Sequence, residues 1–133
     1  MFIHDSFDNA SILFEQDYNN NNILVVSLLQ HNFKVIGIYR QPNNQSDPNS
    51  ILFNEVFERT LSKYPHSFVF GDFNINLLTV SEHTIRYQNA FSLNGFALLN
   101  EVSNIFPTRI NKASGSISCI DHVLTDFHLY DLS

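Results

Sequence analysis

The sequence predicts a mixed α/β sandwich in which strands outnumber helices. Short β-rich segments recur along the chain, and an amphipathic helix separates two of them. The composition also suits a packed core, since 44% of the 133 residues are hydrophobic and 14% are aromatic. A chain of this length forms one domain at most.

The first half of the chain predicts strands joined by tight connections. The segments SILFE and ILVVSLL are strand-like and flank an asparagine tract at 19–22, which we interpret as a loop. FKVIGIY (33–39) is also β-rich, and the turn residues QHN precede it. We therefore expect a β-hairpin from about Ile23 to Tyr39.

A helix is predicted at roughly 48–63, with Asp47 as N-cap and Pro48 in the first turn. Its apolar residues follow helical spacing; they are Phe53, Val56, Phe57 and Leu61. SFVF (67–70) comes next and lacks polar alternation, which is typical of a strand covered on both faces.

The second half contains weaker signals. A helix is expected from about His83 to Asn94, closed by Gly95 at the position after the C-cap. FALLNEV then predicts a strand or extended piece, and SCIDHVLTD (118–126) predicts a last continuous strand.

Charge and cysteine content exclude several classes of protein. Thirteen acidic and seven basic residues give a net charge of −6, which excludes non-specific electrostatic gripping of nucleic acid. Either an acidic cation-binding cleft or scattered surface carboxylates would explain this charge. The single cysteine excludes an internal disulfide and a cysteine-rich zinc site, and favours an intracellular protein. The longest apolar run is too short for a bilayer, so we expect no membrane association.

The segment FVFGDFNINL (68–77) is the main candidate for chemistry. Gly71 permits a sharp turn at the end of an apolar strand, and Asp72 and Asn74 would then project from the sheet edge. A carboxylate there can accept a proton from water or hold a metal, and a carboxamide can donate to a phosphate oxygen. The same residue types are also ordinary turn formers, so the motif alone leaves both interpretations open.

Four segments in order give a more specific signal: IYRQPN, FVFGDFNINL, FPTRI and CIDHVL. Together they resemble the endonuclease/exonuclease/phosphatase superfamily, and within it the endonuclease domain of non-LTR (LINE-type) retrotransposons. The resemblance implies a four-layer α/β sandwich of the DNase and apurinic-endonuclease type. It also implies DNA as partner, Mg²⁺ or Mn²⁺ as cofactor, and fusion to a reverse transcriptase.

The resemblance also implies roles for individual residues. Tyr39 would approach the scissile phosphate and Arg40 would line the same rim, although a simple rim-exposed arginine is the alternative. Asp72 would orient or deprotonate the attacking water, while Asn74 would bond the phosphate and steady Asp72.

Two later segments carry the remaining roles. Thr108 and Arg109 would lie near the DNA, and Asp121 would orient a catalytic histidine. His122 is not that histidine, because side chains alternate along a strand and it should face away from Asp121. We interpret it as structural.

The sequence departs from the family at both ends. The family's early asparagine, its metal-binding glutamate and its closing Ser-Asp-His motif have no counterpart here, so no metal ligand is assigned. We therefore interpret 1–133 as a partial domain, inactive in this form. A non-catalytic remnant or binding module, or a phosphatase of the same superfamily, are the alternatives.

The remaining polar and aromatic residues receive structural interpretations. Glu15 is expected to be a solvated strand-end carboxylate, Cys119 a small core residue, and Phe53 and Phe57 core rather than base-stacking residues. The other histidines are interpreted as surface or turn residues; they are His4, His31, His66, His83 and His128.

Overall fold

A computed structural model describes residues 10–18, 20–28, 32–42, 48–99 and 109–127. These residues form two helices and eight strands in α+β order. The elements are β1 (Ala10–Tyr18), β2 (Asn21–Leu28), β3 (Phe33–Tyr39), α1 (Pro48–Lys63), β4 (Ser67–Asp72), α2 (Glu82–Leu93), β5 (Ala97–Leu98), β6 (Arg109–Ile110), β7 (Ile117–Ser118) and β8 (Asp121–Thr125).

Six strands form one mixed sheet in the order β1-β2-β3-β4-β8-β5, and β6 pairs with β7 in a separate hairpin. The β2–β3 hairpin is present as predicted, with antiparallel register from Asn22–Tyr39 to Leu28–Phe33. Strand β4 pairs in parallel with β3 and antiparallel with β8. The connection from β3 to β4 runs through α1, as expected for parallel neighbours.

The asparagine tract is shorter as a loop than the sequence predicts. Strand β2 already begins at Asn21, whose side chain is fully buried and whose Oδ1 accepts a hydrogen bond of 2.7 Å from the Gln41 backbone N–H. Asn20 takes a left-handed conformation with φ of 64°, which asparagine tolerates better than most residues. The turn therefore needs fewer residues than the composition suggests.

Both helices cover the same face of the sheet, and the core lies between the helices and this face. The predicted stripe of α1 is buried there, in contact with residues of α2 such as Tyr87 and Phe91. One row of cross-strand neighbours crosses all six strands on this face; it consists of Phe14, Val25, Ile36, Val69, Leu124 and Leu98. Two helices packed on one side explain why the alternate residues on the other side of β4 are less buried.

Strand β4 shows that difference and corrects one prediction. Val69 is fully buried under the helices, whereas Phe70 is 46% exposed on the opposite face. The apolar run SFVF was expected to be covered on both faces, but among the described residues only the helix face is closed. Phe68 is partly buried on the open side, where Phe127 stacks on it at a ring-centroid distance of 5.2 Å.

Helix α2 has the ends that the sequence predicts, shifted by one residue. Ser81 is the N-cap and forms a capping box with Thr84, in which each side chain accepts from the other residue's backbone N–H. Asn94 is the C-cap, and Gly95 follows with φ of 81°, a conformation that favours glycine. Among the described helices, none is both long and apolar enough to cross a membrane.

Candidate functional site

Three of the predicted site residues lie side by side at one edge of the sheet. Tyr39 is the cross-strand partner of Asp72 in the β3–β4 pair, and Asp72 is the partner of Asp121 in the β4–β8 pair. Partners in adjacent strands point to the same face, here the face opposite the helices. Tyr39 is 44% exposed, Asp121 is exposed and Asp72 is partly buried. A phenol and two carboxylates therefore form one row that solvent reaches.

The turn after β4 holds Asp72 in place. Asn74 adopts a left-handed conformation with φ of 50°, and its backbone N–H donates to Asp72 Oδ1 at 3.2 Å. The Asn74 side-chain N–H donates to the Arg40 carbonyl, and the Arg40 backbone N–H donates to the Asp72 carbonyl at 2.9 Å. Asn74 thus ties the ends of β3 and β4 together, and it steadies Asp72 through its backbone.

Arg40 lies beneath this site and not on its rim, which corrects both sequence-based interpretations of its position. Its side chain is fully buried, and its guanidinium lies over the Phe53 ring of α1 at 5.5 Å from the centroid. A cation above an aromatic face is attracted by the ring quadrupole. The physical reason for the error is that α1 packs over the end of β3, which the sequence around Arg40 does not reveal.

The approach to β8 is irregular, which corrects the prediction of a continuous strand at 118–126. Residues 119 and 120 leave the strand and bond to the turn after β4 instead. The Ile120 carbonyl accepts from the Phe73 N–H at 2.8 Å, and the Cys119 carbonyl accepts from the Leu77 N–H at 3.0 Å. These two hydrogen bonds fix Asp121 relative to the segment that contains Asp72.

A cleft of about 220 Å³ lies next to the row of acidic residues. Its lining is polar apart from one side chain and comes from the turn after β4 and from the β6–β7 hairpin; the lining residues are Asn74, Asn111, Ser116, Ser118 and Ile120. Arg109 begins β6 and pairs with Ser118. The backbone of Arg109 therefore flanks the cleft, whereas Thr108 lies outside the described residues. The cleft is wide enough for a small polar group, and two of its lining residues, Asn74 and Ile120, lie within two positions of Asp72 and Asp121 in the chain.

His122 lies on the helix face, opposite Asp121, as the alternation of side chains predicts. It is 1% exposed, its Nδ1 lies 2.8 Å from the Tyr87 hydroxyl, and its Nε2 lies 3.0 Å from the Cys119 carbonyl. Burial lowers the pKa of His122, a shift that the hydrogen bond to Cys119 and the charge of Asp121 partly oppose. Burial also raises the pKa of Tyr87 well above its usual value. Both groups are therefore neutral at pH 7.

The sequence reasoning did not find Tyr87. The spacing of Tyr87, Ala90 and Phe91 along α2 marks them as a buried stripe, and all three are buried. A tyrosine in such a stripe needs a partner for its hydroxyl. That requirement is a readable signal, but the partner is 35 residues away, and only the fold identifies it as His122.

The other interpreted side chains lie as expected where they are described, with two corrections: Glu15 lies within β1 and not at its end, and His83 lies in the first turn of α2 with its Nε2 buried. Glu15 is exposed, Cys119 is fully buried, and Phe53 and Phe57 are in the core. His66 is exposed, and His83 is partly buried with its pKa lowered by burial and by the charges of Arg40 and Arg86. His4, His31 and His128 lie outside the described residues.

Stability is expected to fall as the pH drops from 7 towards 5. His122 and His83 both have a pKa below the 6.5 of the unfolded chain, so the unfolded state takes up protons first. The stabilisation that comes from these two lowered pKa values is fully present above pH 6.5. It declines below that pH and levels off once the pH has fallen past each folded-state pKa. One histidine contributes at most about 1.4 kcal/mol per pH unit within that window. Urea unfolding followed by circular dichroism at half-unit pH steps measures the slope.

The matched variant for this measurement is His83→Gln, which removes one of the two titrations from a partly exposed position. Its stability should depend less steeply on pH than that of the unmodified protein. A stability that is flat or rises between pH 6.5 and 5.5 would contradict the lowered pKa of His122.

The described residues do not fit a divalent-metal site by themselves. They contain no group of three or more His, Cys, Asp or Glu side chains that could hold an ion. Mg²⁺ requires near-octahedral oxygen ligation and gives up its waters reluctantly. The two carboxylates of the row therefore supply too few donors for a complete protein site.

Comparison with known proteins supports the fold. No model of a protein family and no curated protein matches the chain. Among solved structures, the endonuclease domain of TRAS1, a telomere-specific non-LTR retrotransposon, matches with a TM-score of 0.67 at 14% identity, over 94% of this chain and 59% of that one.

Two further structures match less closely. The human nocturnin catalytic domain has a TM-score of 0.50 at 14% identity, over 90% of this chain and 49% of its own. An endonuclease/exonuclease/phosphatase family protein from Bacteroides thetaiotaomicron has the same TM-score and identity, over 90% and 52%. The chain thus has a DNase I-like α+β fold, and spans about half to three-fifths of these structures.

Proposed function

We propose that this chain carries the central part of a phosphodiesterase site of a retrotransposon endonuclease, which nicks DNA. The observation that supports this most is the row of Tyr39, Asp72 and Asp121 across three adjacent strands, beside a cleft that Asn74 lines. The fold shared with the TRAS1 endonuclease domain makes a phosphodiester the substrate class we favour.

In this proposal, Asp72 is the group that accepts a proton from the attacking water. Its backbone bond to Arg40 and its carboxylate contact with the Asn74 N–H hold it in place at the end of β4. Tyr39 is exposed on the same face and is placed to donate to a phosphate oxygen. Asp121 would orient a catalytic histidine, which is not His122, since His122 faces the core.

The metal and the DNA contacts depend on more than the described residues. A Mg²⁺ or Mn²⁺ ion would stabilise charge on the phosphate, and the resemblance implies a glutamate as its principal ligand. The net charge of −6 leaves DNA affinity to other segments, in keeping with a reverse transcriptase in the same polypeptide.

A non-catalytic remnant is the second candidate. It is favoured by the lack, among the described residues, of a three-carboxylate or histidine-containing metal cluster. The two candidates differ in what a longer protein does when this chain is joined to the further strands that the resemblance implies.

The first test is plasmid nicking by the purified chain in Mg²⁺ or Mn²⁺. We expect nicking no faster than that of the Asp72→Ala variant, because the described residues contain no cluster of side chains that could hold the metal ion. Nicking that Asp72→Ala abolishes would overturn the expected inactivity and would mean that the chain supplies a substitute ligand.

The second test uses a longer protein that joins this chain to the glutamate-bearing and Ser-Asp-His strands. Asp72→Ala should lower its nicking rate by about 100-fold or more, the usual effect of losing a general base. Asp17→Ala is the matched control, because Asp17 is an exposed aspartate on β1. Equal rates in the two variants, or no nicking by the longer protein, would favour the remnant.

A further inference from the structure

His122 adjoins both segments that carry the acidic residues of the candidate site, Asp72 and Asp121, and it does so on the helix face of the sheet. Next to it in the chain is Asp121, on the opposite face of β8. Its imidazole stacks almost parallel on Phe73, at 5.1 Å between centroids and 17° between planes. Phe73 in turn separates Asp72 from Asn74 in the sequence and is fully buried. The position of this imidazole therefore affects the backbone next to both carboxylates, those of Asp72 and Asp121.

The hydrogen bonds of His122 fix its tautomer. The Cys119 carbonyl can only accept, so Nε2, at 3.0 Å, carries the proton. In the neutral ring Nδ1 is then an acceptor, and the Tyr87 hydroxyl donates to it at 2.8 Å. The opposite neutral tautomer would turn an unprotonated Nε2 towards the Cys119 carbonyl and lose that hydrogen bond.

Tyr87 also packs directly on the same group. Its ring lies 5.1 Å from Phe73 and 5.3 Å from His122, and it belongs to α2, which the site does not otherwise use. The titratable groups around the imidazole are Tyr87, Cys119 and Asp121, and burial keeps the imidazole neutral. Through Tyr87, helix α2 thus packs against the buried side of the turn at Asp72–Asn74.

We propose that Tyr87 and His122 are positioning residues, in which the Tyr87 hydroxyl locks the imidazole beneath Phe73 and so fixes the Asp72–Asn74 turn relative to Asp121. The description of this region as a site rests on the proposed function, whereas the contacts of Tyr87 and His122 are independent of it. The experiment below needs no catalysis, so it can fail while nicking is found, and it can succeed where nicking is absent.

The test is amide hydrogen exchange by NMR on the full chain and on Tyr87→Phe, which removes only the donor. The amides of Phe73 and Asn74 and the amide of Asp121 should exchange about 10-fold faster in the variant, relative to Val25 in β2. A merely structural hydroxyl would raise exchange by the same factor throughout the core. A uniform rise, or no change at these three amides, overturns the proposal.

Tyr64→Phe is the matched control, since it removes the same atom from another buried tyrosine of the core cluster. It should leave the ratio of exchange at Phe73 to that at Val25 unchanged. A second variant, His122→Phe, keeps a flat ring under Phe73 but loses both hydrogen bonds, and it should show the same local increase. Normal exchange in that variant would overturn the role of the hydrogen bonds.

One measurement on the unmodified protein guards against variants that do not fold. Long-range ¹⁵N–¹H correlation should show His122 as the neutral Nε2–H tautomer at pH 7. An Nδ1–H tautomer or an imidazolium at that pH overturns the proposal.

Discussion

Phe73→Ala is expected to lower the free energy of unfolding by about 3–5 kcal/mol. Phe73 is fully buried, and its ring lies 5.1 Å from the rings of Tyr87 and His122 and 5.5 Å from that of Phe57. Removing the ring leaves a cavity between α1, α2 and β8 that these large side chains cannot fill without moving. Chemical denaturation followed by circular dichroism gives the difference.

Phe70→Ala is the matched control, three residues earlier in the same segment. Phe70 is 46% exposed, so the change removes less buried area and should cost about 1–2 kcal/mol. Comparable losses in the two variants would mean that the open face of β4 is as well packed as the helix face, contrary to the structure.

The local elements were predictable because their signals lie within a few residues of one another. The hairpin of β2 and β3 follows from two β-rich runs and a short connection, and α1 follows from the spacing of Phe53, Val56 and Phe57. The opposite orientation of Asp121 and His122 follows from the alternation of a strand. The row of Tyr39, Asp72 and Asp121 has the adjacency that the strand ends suggest, and the chemical roles of these residues stay predictions.

The errors concern contacts that no local pattern encodes. A uniformly apolar run such as SFVF cannot reveal which of its two faces the helices cover, so the exposure of Phe70 was missed. Arg40 was predicted to be a surface residue because charged side chains are mostly exposed. Its position over Phe53 depends on how α1 packs against the sheet, which no local pattern shows. The break before β8 exists because Cys119 and Ile120 bond to the turn after β4, 42 to 47 residues earlier in the chain.

Gly71→Ala is expected to lower the free energy of unfolding by about 3 kcal/mol or more, the upper end for overpacking. A β-carbon at Gly71 would lie 2.4 Å from the Ile38 carbonyl oxygen and 3.0 Å from the Ile38 β-carbon. The oxygen belongs to the backbone of β3, so it cannot yield as a flexible side chain would. Relief requires β4 to move away from β3 at the residue pair next to Tyr39 and Asp72. The sequence needs glycine before Asp72 because the two strands approach each other so closely there. The sharp turn predicted at Gly71 is wrong, because Gly71 lies within β4 and the left-handed residue is Asn74.

Gly95→Ala is the control that separates this steric effect from the general cost of replacing glycine. Gly95 has φ of 81°, and a β-carbon there would meet nothing within 4 Å. Its replacement should cost about 1–2 kcal/mol, since only the left-handed conformation is penalised. Urea unfolding of both variants gives the comparison, and the amide resonances of Tyr39 and Asp72 should move in Gly71→Ala alone. Equal costs, with those resonances unmoved, would show that the spacing of β3 and β4 does not depend on Gly71.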